Sequence, residues 1–116
     1  HDQGKLVRVI KGAVLDVAVD IRKNSPFYGK WVSQELSEFN KLIMWIPPGF
    51  AHGFLTIENE TVFFYKCTKF YNHASEEIIA WNDMSIGIKW NAIDPILSER
   101  DKNGTPFKNF ITPFIY

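Results

Sequence analysis

Hydrophobic and polar residues alternate with a period of two through much of the chain, the spacing of side chains on opposite faces of a β-strand. In Ala13–Asp20, Leu15, Val17 and Val19 share a face with Ile21, while Asp16 and Asp20 share the other, so a half-buried strand is expected. Lys5 to Ile10 reads as a strand before it, and the intervening Lys11-Gly12 pair suggests a tight hairpin. Asn24-Ser25-Pro26 and Gly29 bound a loop, after which Lys30 to Leu36 alternates again. Leu42 to Ile46 is a short apolar run stopped by Pro47-Pro48-Gly49, through which no helix or central strand continues. Phe50 to Ile57 and Thr61 to Thr68 follow, separated by the hairpin-sized Glu58-Asn59-Glu60. Weaker strands are expected at Ile78–Trp81 and Gly87–Trp90, and a single helical turn near Ser98–Lys102. Thr105 to Tyr116 holds two prolines and four aromatics and reads as an extended tail packed on a surface. Strand signals recurring about every 8–12 residues, without an amphipathic helix, predict an all-β antiparallel sandwich or barrel, one domain spanning residues 1–116.

Composition narrows the partners. The 116 residues are 46% hydrophobic and 22% charged, ordinary for a folded domain, and the 16% aromatic share suits a sheet-on-sheet core. Thirteen basic and thirteen acidic residues leave no basic field for nucleic acid. No apolar stretch is long enough to span a membrane as a helix. Cys67 has no partner for an internal disulfide, which fits a reducing, cytoplasmic compartment. The three histidines, at 1, 52 and 73, make no closely spaced pair of the kind metal-binding barrels use, so neither metal nor cofactor is expected.

Strand parity nominates chemistry. Lys5 falls on the face of Val7 and Val9, His52 on that of Phe50 and Phe54, and Tyr65 on that of Phe63 and Cys67. If these faces point inward, a Lys, a His and a Tyr project into an aromatic-lined interior. Such a pocket suits proton transfer at a carbon next to a carbonyl, with a cation steadying the enolate and Tyr acting as acid. Each residue also has a purely structural reading. A Lys at a strand start snorkels to water, a His between two Phe rings is commonly a hydrogen-bonded core residue, and a sheet Tyr is commonly packing. Parity alone favours structure over function.

Longer segments carry a family resemblance. Gln3-Gly4-Lys5-Leu6-Val7-Arg8-Val9, Val17-Ala18-Val19-Asp20-Ile21-Arg22, Ser25-Pro26 and Gly29-Lys30-Trp31-Val32 resemble the dTDP-4-dehydrorhamnose 3,5-epimerases. So do Trp45-Ile46-Pro47-Pro48-Gly49-Phe50-Ala51-His52-Gly53-Phe54, Tyr65-Lys66 and Pro95-Ile96-Leu97-Ser98-Glu99-Arg100-Asp101, all in the family's order. The resemblance implies a cupin-type jelly roll, a homodimer or higher homo-oligomer, and no catalytic metal. It implies inversion at C3 and C5 of dTDP-4-dehydro-6-deoxy-D-glucose for surface polysaccharide synthesis. By motif, Lys5 is the enolate-stabilising Lys, Tyr65 the acid that reprotonates from the opposite face, and Asp101 the carboxylate that orients the base. His52 is similar to the pocket His at the sugar and phosphates, Tyr71 to the aromatic packing on the nucleotide, and Glu76 sits nearby. An acid in the position of Tyr65 favours double over single epimerisation.

One departure matters. The family's catalytic His lies in a Leu-Arg-Gly-Leu-His-Tyr-Gln segment upstream of the Gln-Gly-Lys strand, together with a phosphate-binding Arg. The chain opens His1-Asp2-Gln3-Gly4, and His1 falls in the connecting loop. The resemblance therefore expects the C-terminal portion of such an epimerase, without its N-terminal strands and without the base, and with an open sheet edge that favours association. Two other readings stand beside it: a non-catalytic cupin-like module that binds nucleotide sugars, or an epimerase acting at only one centre. A metal-dependent cupin oxygenase is disfavoured by the His spacing.

Overall fold

A computed structural model describes residues 4–67, 79–90, 96–97 and 102–112. Among them six strands form: β1 (Lys5–Lys11), β2 (Ala13–Asp20), β3 (Trp31–Ser37), β4 (Ile43–Ile46), β5 (Phe50–Thr56) and β6 (Val62–Cys67). They lie within a residue or two of the positions expected from the alternation. They build two antiparallel three-stranded sheets, ordered β4-β1-β6 and β3-β2-β5.

Neither expected hairpin forms. β1 and β2, joined through Gly12, lie in different sheets, and so do β5 and β6. Gly12 sits at φ +86°, a backbone state that L side chains rarely adopt, and it turns the chain out of one sheet and into the other. There it meets the second crossing: a Cβ on Gly12 would lie 2.4 Å from the Thr61 hydroxyl oxygen. The Gly12 N–H donates to the Glu38 carboxylate at 2.6 Å, and its carbonyl accepts from Glu38 N–H at 3.1 Å. A short Gly-containing link thus serves an arch between sheets as readily as a turn within one.

Two apolar layers result. Between the sheets pack Val7 and Val9, Val14 and Ala18, Leu36 and Ile46, with Met44, Phe50 and Phe63 against them. On the other face of β2, Val17, Val19 and Ile21 pack with Ile86, flanked by Trp31, Ile88, Trp90, Phe107 and Phe110. β2 is therefore buried on both faces, and the half-buried expectation is corrected: Asp16 and Asp20 lie inside, not in solvent. Each fully buried valine contributes about 1.5–3 kcal/mol, so this central strand is the best-anchored element.

Among the described residues after β6, the chain covers that outer layer and forms no regular strand. Gly87–Trp90 is irregular, contrary to expectation, because Gly87 turns at φ +71° and Trp90 anchors by donating its indole N–H to the Trp81 carbonyl at 2.8 Å. Of the Ile78–Trp81 expectation, Ile79 makes only an isolated parallel bridge to Thr105, and Ile78 lies outside the described residues. Most of the turn expected at Ser98–Lys102 also lies outside them. The tail packs as expected where it is described. Phe107–Asn109 forms a 3-10 turn, and the Thr112 hydroxyl donates to the Ile21 carbonyl.

Candidate active site

The inter-sheet face gathers the polar groups. On β5, Phe50, His52 and Phe54 point inward opposite Asp20, Ala18 and Asp16 of β2. Small Ala18 directly across leaves room for the imidazole, which reaches diagonally to Asp16. His52 Nε2 donates to Asp16 Oδ1 at 2.5 Å; the Asp16 side chain is fully buried and that of His52 nearly so. A carboxylate only accepts, so Nε2 carries a proton; in the neutral ring Nδ1 is then the acceptor. Asp16 Oδ2 is buried with no hydrogen-bond partner among the described residues. An unpaired buried carboxylate oxygen is costly, and such groups concentrate at sites that bind a ligand.

β1 and β6 supply the facing wall. Tyr65 lies opposite Val7, whose side chain is fully buried in the core, and Lys5 lies opposite Cys67 and Ile46. Lys5 and Tyr65 are therefore diagonal neighbours on one face, with backbones roughly 7–8 Å apart. Lys5 is half-buried and Tyr65 is 57% exposed, so Tyr65 stands at the opening and not in the packed interior. A row of rings links it to His52. Phe63 lies 6.2 Å from Tyr65, Phe54 and Phe63 stack at 4.5 Å and 10°, and His52 lies 6.2 Å from Phe54 and 6.3 Å from Phe63.

A second buried cluster holds β5 in place. Asp20, at the end of β2, accepts hydrogen bonds from Arg22 N–H (2.9 Å), Nε (3.1 Å) and Nη2 (2.8 Å) and from the Ser25 hydroxyl (2.6 Å). Above all the Arg22 side-chain bonds, and with them Ser25, hold its carboxyl down at about 2 from the ordinary 3.8, against the opposing effect of burial. The Arg22 guanidinium lies 5.0 Å over the Phe50 ring, two residues before His52. The ion pair thus fixes the entry of the strand that carries the imidazole.

Of the residues named from sequence, Lys5, His52 and Tyr65 come together on the inter-sheet face, while Tyr71, Glu76 and Asp101 lie outside the described residues. Sequence reasoning missed Asp16. The available signal was the near-continuous apolar run of Ala13–Val19, which marks a strand covered on both faces, where a carboxylate must find a partner. Among the described residues no group of three or more His, Cys, Asp or Glu is placed to hold a metal, and no helix is long and apolar enough to cross a membrane.

A family model described as dTDP-4-dehydrorhamnose 3,5-epimerase matches residues 1–109. The chain is 53% identical over 107 residues to a dTDP-4-dehydrorhamnose 3,5-epimerase of Shigella flexneri, covering 92% of this chain and 59% of that protein. The crystal structure of the Elizabethkingia anophelis dTDP-4-dehydrorhamnose 3,5-epimerase superposes with a TM-score of 0.88 at 47% identity, over 91% of this chain and 59% of that one. A Legionella pneumophila dTDP-6-deoxy-D-glucose-3,5-epimerase, solved in complex with dTDP-4-keto-L-rhamnose, matches with a TM-score of 0.82 at 47% identity, over 85% and 53% of the two chains. The chain thus spans a little over half the length of these relatives, and it shares their cupin-type, all-β fold. With the family model matching nearly the whole chain and relatives about half identical to it, the chain belongs to the dTDP-4-dehydrorhamnose 3,5-epimerase family.

Proposed function

We propose that this chain supplies the enolate-stabilising and reprotonating part of a site that inverts C3 and C5 of dTDP-4-dehydro-6-deoxy-D-glucose, giving dTDP-4-dehydro-L-rhamnose. The observation that carries the reading is the convergence of Lys5, Tyr65 and the His52–Asp16 pair on one aromatic-lined face between the sheets. A base removes the proton from the carbon beside the C4 ketone, and the electron pair moves to the C4 oxygen. The Lys5 ammonium balances that oxyanion. The Tyr65 phenol then gives its proton to the same carbon from the opposite face, and the ketone re-forms; the base's proton passes through solvent water to the phenolate, which resets both groups. The cycle repeats at the second carbon.

His52, held by Asp16, faces the sugar and phosphates, and in the neutral ring its other nitrogen accepts from a sugar hydroxyl. Asp101 orients the base, Tyr71 packs on the nucleotide and Glu76 lies beside it. The resemblance places the base itself in a Leu-Arg-Gly-Leu-His-Tyr-Gln segment that is not among these 116 residues. The edges of β3, β4, β5 and β6 left unpaired among the described residues support a homodimer or higher homo-oligomer. A nucleotide-sugar substrate and an unpaired Cys67 fit the cytoplasm.

The test is deuterium uptake by the 4-keto sugar in D₂O with imidazole added as base, comparing the chain, Lys5→Ala and imidazole alone. Faster uptake with the chain, lost in the variant, supports the reading. Uptake unaffected by Lys5→Ala removes Lys5 from it, and dTDP binding with no uptake beyond imidazole alone in either protein favours the non-catalytic binding module.

A further inference from the structure

Two buried carboxylates share the inward face of β2, and the fold satisfies one of them. At Asp20, Arg22 N–H and Nε donate to one oxygen, and Arg22 Nη2 and the Ser25 hydroxyl to the other. Asp16, earlier on the same strand, accepts at Oδ1 from His52 and has no hydrogen-bond partner at Oδ2 among the described residues. Its register neighbours supply none: the Phe54 ring has no donor, and the exposed Gln34 amide donates to the Glu35 carbonyl instead. Anchoring the imidazole does not require a carboxylate, because asparagine fills the same space and accepts through its one oxygen. The difference lies in exclusivity. An amide can turn round and donate, and so fits the ring with either nitrogen protonated. A carboxylate meets the ring with an acceptor whichever way it turns, and the empty bonding position at Oδ2 is the consequence.

From this we infer that Asp16 is a positioning residue: its carboxylate confines the His52 proton to Nε2 and so keeps Nδ1 bare, as an acceptor for a hydroxyl of the sugar. The inference rests on the proposed reading of the site. Which nitrogen carries the proton decides what the ring can bind. A bare Nδ1 accepts from a hydroxyl and has nothing to offer a phosphate oxygen, which only accepts. A ring free to move its proton would present Nδ1–H in part of the population. That form suits a phosphate oxygen and makes the hydroxyl turn its own proton away. Asp16 thus acts through the imidazole alone, and assigns it to the sugar and not to the phosphates. Losing one such hydrogen bond weakens binding roughly three- to tenfold.

The experiment reads the His52 proton directly, by two-bond ¹⁵N–¹H correlation on chain labelled with ¹⁵N-histidine, at about pH 8.5, well above the ordinary histidine range. His52→Gln identifies the signal. Wild type is expected to hold Nε2–H alone, and Asp16→Asn to show both forms of the ring. Titration with dTDP-6-deoxy-D-glucose, which has no ketone and does not react, and with dTDP alone measures what the sugar adds to binding. Asp16→Asn is expected to lower that gain roughly three- to tenfold, with dTDP binding unchanged. Added to His52→Gln, it is expected to cost nothing more, because the imidazole through which it acts is gone. Nδ1–H or a doubly protonated ring in wild type, Nε2–H alone in Asp16→Asn, an unchanged sugar gain, or a loss that adds to that of His52→Gln overturns the inference and leaves the proposed function standing. Wild type binding neither ligand overturns the proposed function and the inference with it.

Discussion

Asp20→Asn tests whether the ion pair at the end of β2 is a structural brace. Asp20 is nearly fully buried and accepts hydrogen bonds from three Arg22 nitrogens and the Ser25 hydroxyl. Its carboxyl ionises at about 2 in the folded chain against an ordinary 3.8. At about 1.4 kcal/mol for each pH unit between the two, the ionised form stabilises the fold by about 2 kcal/mol. Because the folded value is the lower one, that contribution is complete above about pH 4 and fades as pH falls towards 2. Asparagine keeps one acceptor oxygen but turns an amide N–H₂ towards Arg22 or Ser25. Urea denaturation followed by circular dichroism at pH 7, 4 and 2.5 measures the gap between wild type and variant. The expected gap is about 2 kcal/mol at pH 7, on the order of 10 °C in Tm, narrowing through the window between pH 4 and 2. A gap as wide at pH 2.5 as at pH 7 would refute the electrostatic assignment, and no gap at pH 7 would refute the brace.

Three further outcomes are expected. Gly12→Ala, which forces a left-handed φ on a β-carbon and sets it against the Thr61 side chain and backbone, should cost about 1–3 kcal/mol by thermal melting. Asp16→Asn keeps the acceptor for His52 but removes its charge, and should cost about 1 kcal/mol in urea; Asp16→Ala, which leaves the imidazole N–H unpaired, should cost more. Tyr65→Phe, at a ring more than half exposed, should leave stability within about 0.5 kcal/mol of wild type while lowering deuterium uptake by the 4-keto sugar on the order of 10²–10⁴-fold.

The strands were legible because alternation survives wherever a strand has one polar face, and the proline and glycine punctuation is local. The pairing was not. Gly12 permits a sharp change of direction, but whether the next strand returns to the same sheet depends on partners about 30 and 50 residues away, such as Glu38 and Thr61. Asp16 and Asp20 looked like a polar face because a strand buried on both sides and one buried on a single side differ in what covers them, and the cover on their face comes from the other sheet, through Val7, Val9, Ile46 and Phe63. For the candidate site, parity grouped Lys5, His52 and Tyr65 with apolar neighbours from residue spacing alone, and the structure turns those faces inward. The partner of His52 lies 36 residues earlier, on another strand, and that separation hid it.

The role proposed for this chain is to hold Lys5 and Tyr65 as the groups that stabilise and reprotonate an enolate. Adding imidazole as an external base tests it most directly. dTDP-4-dehydro-6-deoxy-D-glucose is incubated in D₂O with imidazole, with and without the chain, and deuterium at C3 and C5 is followed by NMR. Uptake is expected at both carbons, faster than with imidazole alone, and returned to the imidazole-alone rate by Lys5→Ala. Uptake with the chain no faster than with imidazole alone would contradict it.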